Sequence, residues 1–425
     1  MPRRRTDEPL VFTPPVNPLP ERNANRPTDD PIFALNREAT KRRAQGESII
    51  NATVGALLED DGSLAVLPSV VEAIHAVSAS AGAAYAPIAG HAVFLDAVIS
   101  DLLGGTPLAA QAVAVATPGG TGALRHAVST FLERNQALVT TSFYWGPYGT
   151  ICDEHERSVR TFNMFDGDGR LDVPALAGML ESAASAQNRV LVFLNDPCHN
   201  PTGYSMSDDE WALAIAALER TAAQVPLTVL VDVAYLAYAR DESKKFLTHV
   251  AKLTDKAVVL FAWSGSKAFT QYGLRVGALI ACTQDESTRD AIKRALTYAC
   301  RGTWSNCNSA GQLAIAKCIT DVELRARVDG ERTRLRALLE ARVTAFNNAA
   351  VGTALRFPRY DGGFFVTVFA NDAPAAGAKL REQGVFTVPQ PGALRVALCS
   401  VAESDIPRLV QSMDAVLREG RESET

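Results

Sequence analysis

Residues 258–277 read VVLFAWSGSKAFTQYGLRVG. A β-branched and aromatic run from Val258 to Trp263 stops at Ser264-Gly265-Ser266-Lys267, the pattern of a buried strand ending in a small-residue turn. Open α/β sheets bind their ligands at the carboxyl ends of strands, so the turn delivers Lys267 to a binding edge. Arg275 follows eight residues later. A lysine among small and aromatic residues is desolvated, which lowers its pKa and frees its amine to attack carbonyls. Taken alone, a lysine after a strand is more often a surface residue; the surrounding pattern decides.

Outward from this stretch, apolar runs recur at 112–116, 137–141, 158–162, 189–194, 227–231 and 276–281, with helical patterns at 121–134, 173–186, 208–222 and 245–252. This βαβ repetition predicts an α/β fold: a large domain whose mostly parallel, doubly wound sheet carries helices on both faces. Continuous apolar strands fit a sheet buried on both sides. Helices are also expected over 30–43, capped by Asp29 or Asp30, and over 68–78, 285–299 and 308–347. Strands near 353–357, 363–369 and 394–398, with helices near 373–383 and 403–418, form a smaller α+β domain. The chain of 425 residues exceeds one ordinary core. Its expected division is a flexible N-terminal arm (1–29), the N-terminal part of the small domain (30–60), the large domain (61–325) and the C-terminal part of the small domain (326–425).

A hydrophobic content of 47% and a charged content of 21% are those of a globular protein, and a net charge of −5 argues against a nucleic-acid surface. The seven cysteines are scattered without metal-ligand spacing, which reads as reduced thiols in a cytoplasmic protein with no metal site. MPRRRTDEP has no apolar stretch behind its arginines, so no secretory signal is expected. The longest uncharged run, 102–124, is broken by glycines and prolines and is not a membrane span.

Polar residues cluster just after the predicted strands. Thr117-Pro-Gly-Gly-Thr-Gly-Ala-Leu124 joins a strand to a helix; Gly119 and Gly120 let the backbone approach an anion, and Thr121 adds a hydroxyl at the helix N-terminus. Alone, such a turn is as often tight packing. Trp145 follows the run at 137–141 and could cover a planar ring, although a lone tryptophan is more often core. Asn200 lies in Asn195-Asp-Pro-Cys-His-Asn-Pro-Thr-Gly203 and can donate to a ring oxygen. Asp232 ends the strand 227–231, with Tyr235 three residues on. A buried carboxylate needs a cationic partner. A structural salt bridge would serve; so would a protonated pyridine, which the pair would turn into an electron sink. With Ser264, Ser266 and Arg275 near Lys267, these are the parts of a pyridoxal phosphate site.

The stretches NATVGALLEDDG, YAPIAG, TPGGTGALR, HNPTG, VDVAY, SGSKAF with Arg275, RGTWSN and ALRVAL resemble the fold-type I, pyridoxal 5'-phosphate-dependent class I aminotransferases, closest to the aspartate and aromatic aminotransferases, over about residues 30–418. The resemblance implies that Lys267 forms a Schiff base with the cofactor and shuttles the proton, and that Asp232 pairs with the ring nitrogen. It implies Asn200 and Tyr235 on the ring oxygen, Trp145 on the ring face, and Gly119, Gly120, Thr121, Ser264, Ser266 and Arg275 around the phosphate. Tyr85 would reach the phosphate of the neighbouring subunit, which implies a homodimer with shared sites. Gly55, Arg301 and Arg395 would contact the substrate: Arg395 the α-carboxylate, and Arg301, from the partner, a distal carboxylate. The implied reaction is ping-pong transfer of an amino group from a dicarboxylic or aromatic amino acid to a 2-oxo acid such as 2-oxoglutarate. The alternative is elimination, replacement or cyclisation on the same fold. Two positions depart from the aspartate-type pattern: Tyr148 and Asn195 stand where histidines are usual. This either alters ring electronics or repacks the layer behind the ring; the intact set of direct ring partners favours repacking.

Overall fold

The computed structural model describes residues 18–27, 29–360 and 362–422. Its strands are β1 (Ile50–Asn51), then the seven apolar runs β2 (Ala112–Thr117), β3 (Ala137–Thr141), β4 (Ser158–Phe162), β5 (Val190–Asn195), β6 (Leu227–Asp232), β7 (Val258–Ser264) and β8 (Gly277–Cys282), and finally β9 (Val366–Phe369), β10 (Val385–Phe386), β11 (Val388–Gln390) and β12 (Ala393–Val396). The seven runs form one sheet in the order β2-β8-β7-β6-β5-β3-β4, in which β8 alone is antiparallel to its neighbours. The link from β7 to β8 holds only the short helix Gly265–Ala268, too little for a parallel crossover.

Side chains alternate across this sheet. Val192, Val229, Val231, Val259 and Phe261 enter one core, and Leu191, Phe193, Leu230, Leu260 and Ala262 enter another on the opposite face. Both faces are therefore covered, as a doubly wound sheet requires. The register brings the polar strand ends level: Asn195 pairs with Asp232, Asp232 with Ala262, and both Thr117 and Ser264 with Gly277.

A third core gathers Ile50 and Ala52 with residues between 343 and 417. There β1 pairs in parallel with β10, and β11-β12-β9 make an antiparallel sheet. The helix Pro31–Ala44 begins at Asp30, whose carboxylate accepts from Ile32 N at 2.8 Å. The helical span predicted over 308–347 is two helices, Ser309–Thr320 and Val322–Ala350, because Asp321 turns extended and caps the second through Leu324 N at 3.0 Å. Residues 353–357 form no ladder; they follow the left-handed Gly352 and meet β9 through one bond, Phe369 N to Arg356 O at 2.8 Å. The helices Ala92–Leu103 and Pro147–Glu154, not expected from the sequence, pack on the large sheet. The arm expected over 1–29 falls outside the described residues at 1–17 and 28. Residues 18–27 lie against the same chain, with Arg26 paired to Asp153 and to Glu154. Among the described residues no helix is long and apolar enough to cross a membrane.

Arg342 joins the long helix to the segment after β1. Fully buried, it donates to Cys399 O, Leu58 O and Asp60 Oδ1, each at 2.8 Å. Arg342→Leu removes all three bonds, leaving Leu58 O without this donor and Cys399 O with only Leu58 N at 2.9 Å, so urea unfolding is expected to show a loss of roughly 2–4 kcal/mol; an unchanged midpoint would contradict this account.

Candidate active site

Ser264 ends β7 and caps the helix Gly265–Ala268, its Oγ accepting from Ser266 N at 3.3 Å. This tight turn aims Lys267 inward, where Nζ donates to Gly55 O at 2.8 Å. The ammonium lies 4.5 Å from the ring centroid of Tyr272 and 5.8 Å from that of Phe364. Burial lowers its pKa from 10.5 to about 8, against the attraction of Asp232.

Lys267 faces a cavity of about 320 Å³. Gly120, Thr121, Ser264, Ser266 and Arg275 line one part of it. Arg275 donates to Ser266 Oγ at 3.0 Å and to Tyr272 O at 2.9 Å. Gly119, at φ +71°, opens the helix Gly119–Phe131, and a Cβ there would stand 2.5 Å from the Arg275 guanidinium. The positive φ favours glycine here, and the helix N-terminus and the guanidinium together present positive charge of the kind that suits an anion.

Asp232, Asn195, Asn200 and Tyr235 line another part. Asp232 accepts from Ala234 N at 3.2 Å and from the Tyr148 hydroxyl at 2.8 Å, yet burial still raises its pKa to about 6. Asn195 donates to Asp232 O at 2.8 Å and accepts from Asn200 N at 2.6 Å, so it ties the two strand ends together. Asn200 donates to Tyr235 Oη at 3.3 Å, and its Oδ1 is buried with no hydrogen-bond partner. Trp145 adds an aromatic wall. An anion cradle, a buried carboxylate, an orphaned amide oxygen and a desolvated lysine suit a planar, phosphorylated ring with a basic nitrogen.

Arg395, on β12, lies outside this lining. Its Nη2 donates to Thr53 O at 2.6 Å, its guanidinium lies 4.7 Å from the Phe365 ring centroid, and its Nε is buried without a partner. Gly55 contributes its carbonyl to Lys267 and packs against Phe365. Tyr85 is 92% exposed, and the exposed Arg301 donates to Ser305 Oγ at 2.6 Å; neither is brought to the cavity within one chain. Sequence reasoning missed Phe33, Leu124, Ala234 and Tyr272, all on the cavity wall. Tyr272 had a signal, an aromatic five residues after Lys267 in the same turn; Phe33 had none beyond an apolar residue on a polar helix.

A seven-stranded, mostly parallel sheet with a half-buried lysine in the turn after β7 places the chain in the α/β class. Residues 47–413 match the model of the class I and II aminotransferases, and the chain belongs to that family: it is an aminotransferase. Cytoplasmic aspartate aminotransferase of Gallus gallus is 31% identical over 71% of this chain and 75% of that protein. An aminotransferase structure from Anaerococcus prevotii superimposes with a TM-score of 0.91 at 32% identity, covering 95% of this chain and 100% of that one. The aromatic-amino-acid aminotransferase of Burkholderia pseudomallei, covalently bound to pyridoxal phosphate, shares the fold with a TM-score of 0.76 at 24% identity, covering 94% and 100%.

The two shifted groups give the cofactor-free protein a stability profile. Folded, Asp232 keeps its proton up to about pH 6, whereas the unfolded chain releases it near 3.8, so stability falls as pH rises between them. Lys267 acts in the other direction: it loses its proton near 8 when folded and near 10.5 when unfolded, so stability rises over that window. Urea titrations from pH 4 to 6.5 are expected to show the wild type losing on the order of 2 kcal/mol relative to Asp232→Asn. A constant difference over that range would refute the assigned shift.

Proposed function

We propose that the protein is a pyridoxal 5'-phosphate-dependent aminotransferase. It moves the amino group of a dicarboxylic or aromatic L-amino acid to a 2-oxo acid such as 2-oxoglutarate, by a ping-pong cycle in a homodimer. The observation that carries this reading is Lys267, desolvated beside a cavity that offers an anion cradle and a buried carboxylate. The cofactor, when bound, supplies an electron sink for the substrate's Cα.

The chain's own groups have distinct tasks. Lys267 Nζ binds the cofactor and moves a proton, and its lowered pKa leaves part of the amine neutral near pH 7. Asp232 pairs with the ring nitrogen; Asn200 and Tyr235 hold the ring oxygen; Trp145 covers the ring face. Gly119, Gly120, Thr121, Ser264, Ser266 and Arg275 hold the phosphate. Arg395 takes the α-carboxylate on its unpartnered edge, and Gly55 lines the substrate side. Tyr85 and Arg301 serve the partner's site. Their exposure supports this, as does that of Tyr298, which is 84% exposed one helical turn before Arg301. The seven cysteines are all buried, and we take the protein to act in the cytoplasm.

Borohydride treatment of the cofactor-loaded protein, followed by peptide mass spectrometry, is expected to place the label on Lys267. Lys267→Ala should abolish the label and lower turnover by at least about a thousandfold, the scale of a positioned acid–base group. A labelled or active Lys267→Ala protein would overturn the reading.

Arg301 tests the substrate class. A guanidinium meets a carboxylate with two parallel bonds and keeps its charge. Arg301→Ala is expected to reduce kcat/KM for a dicarboxylate by roughly 2–4 kcal/mol and to affect an aromatic amino acid much less. Equal losses would make Arg301 structural. If the wild type shows no half-reaction with any dicarboxylate, elimination or replacement chemistry becomes the better description.

A further inference from the structure

Tyr148 stands in the first turn of the helix Pro147–Glu154 and is 1% exposed. Its ring is locked edge-on against Phe193 at 5.2 Å and Trp145 at 5.9 Å, and stacked on Tyr144 at 6.2 Å. Its hydroxyl donates to Asp232 Oδ2 at 2.8 Å, while Oδ1 accepts from Ala234 N at 3.2 Å. Each carboxylate oxygen thus has one donor on the protein side. The charged or titratable groups facing Asp232 are Tyr148 from this helix, Tyr235 beyond β6 and Lys267 beyond β7. Asn195, from β5, bonds the main-chain carbonyl of Asp232 and leaves the carboxylate alone.

We propose that Tyr148 is a positioning residue that acts through Asp232: its hydroxyl fixes the carboxylate's orientation and keeps it ionised toward the ring nitrogen of the bound cofactor. The proposal rests on the pyridoxal phosphate reading above. A neutral donor orients a carboxylate without cancelling its charge, so the full attraction remains for the ring nitrogen. A phenol buried against a carboxylate keeps its proton, its pKa being driven well above 10 by burial and by Asp232, so the donor persists at every working pH. Without it, Oδ2 is buried with one partner fewer, and the acid shifts toward its protonated form, which cannot form a charge pair.

Tyr148→Phe keeps the ring and its packing and removes one oxygen. The test measures Kd of the cofactor-free protein by quenching of tryptophan fluorescence, using Trp145 on the cavity wall. Two ligands are compared: pyridoxal phosphate, and its analogue in which CH replaces the ring nitrogen. Tyr148→Phe is expected to weaken pyridoxal phosphate by about tenfold, the scale of one hydrogen bond to a charged group, and to leave the analogue within about twofold. In the background of Asp232→Asn the same substitution should cost pyridoxal phosphate little further. Equal losses for both ligands, no loss for pyridoxal phosphate, or additive losses with Asp232→Asn would each overturn the proposal. A wild type that binds neither ligand would overturn the cofactor reading instead, and the present inference with it.

Discussion

An ammonium group taken out of water at the end of a strand is the constraint on which this structure turns. Lys267 gives up its hydration for one carbonyl, Gly55 O, and the faces of Tyr272 and Phe364. That environment exists only if the segment Thr53–Gly55 is held against the large sheet. The same segment gives Thr53 O to Arg395, and Val54 O accepts from the Cys399 thiol at 3.8 Å. Three successive carbonyls, of residues 53, 54 and 55, therefore meet an arginine, a thiol and a lysine from residues 395, 399 and 267. Carbonyl dipoles partly offset the cost of burying two cations, and Arg342 secures the stretch that follows.

On the same cavity wall, the carboxylate of Asp232 is buried more deeply than Lys267. Burial moves the two groups toward each other in pKa, to about 6 and about 8, so both change protonation state close to neutrality. Had the two formed a salt bridge with each other, their pKa values would have moved apart; each is instead left available for a partner in the cavity.

Much of this was legible in the sequence because the sheet is buried on both faces. Its strands read as unbroken apolar runs, and the chemistry sits where each run stops: Asp232, Ser264 and Lys267 within a residue or a few of a strand's last apolar side chain. What periodicity could not supply is tertiary. The helix Ala92–Leu103 is apolar on nearly every side, so its period is faint, and the helix Pro147–Glu154 hides behind a Gly-Pro pair that reads as a turn. The extended look of residues 353–357 was local preference without a partner strand. Phe33 meets the cavity only because β1 docks on β10 and carries the preceding helix with it. Tyr148 could be noted as a departure from a pattern, but that its hydroxyl reaches Asp232 depends on the packing of two elements far apart in sequence.

The pairing of Ile50 with Val385 and Asn51 with Phe386 has a consequence for synthesis. The strand made near the start of the chain waits for a partner made some 335 residues later. The large sheet, all of whose strands lie between residues 112 and 282, can form while the ribosome is still at work. The carbonyl that receives Lys267 cannot be locked in place until the last hundred residues emerge. Until then the strand partner at 385–386 and the side chains of Arg395 and Cys399, which hold the segment carrying that carbonyl, are still to be made.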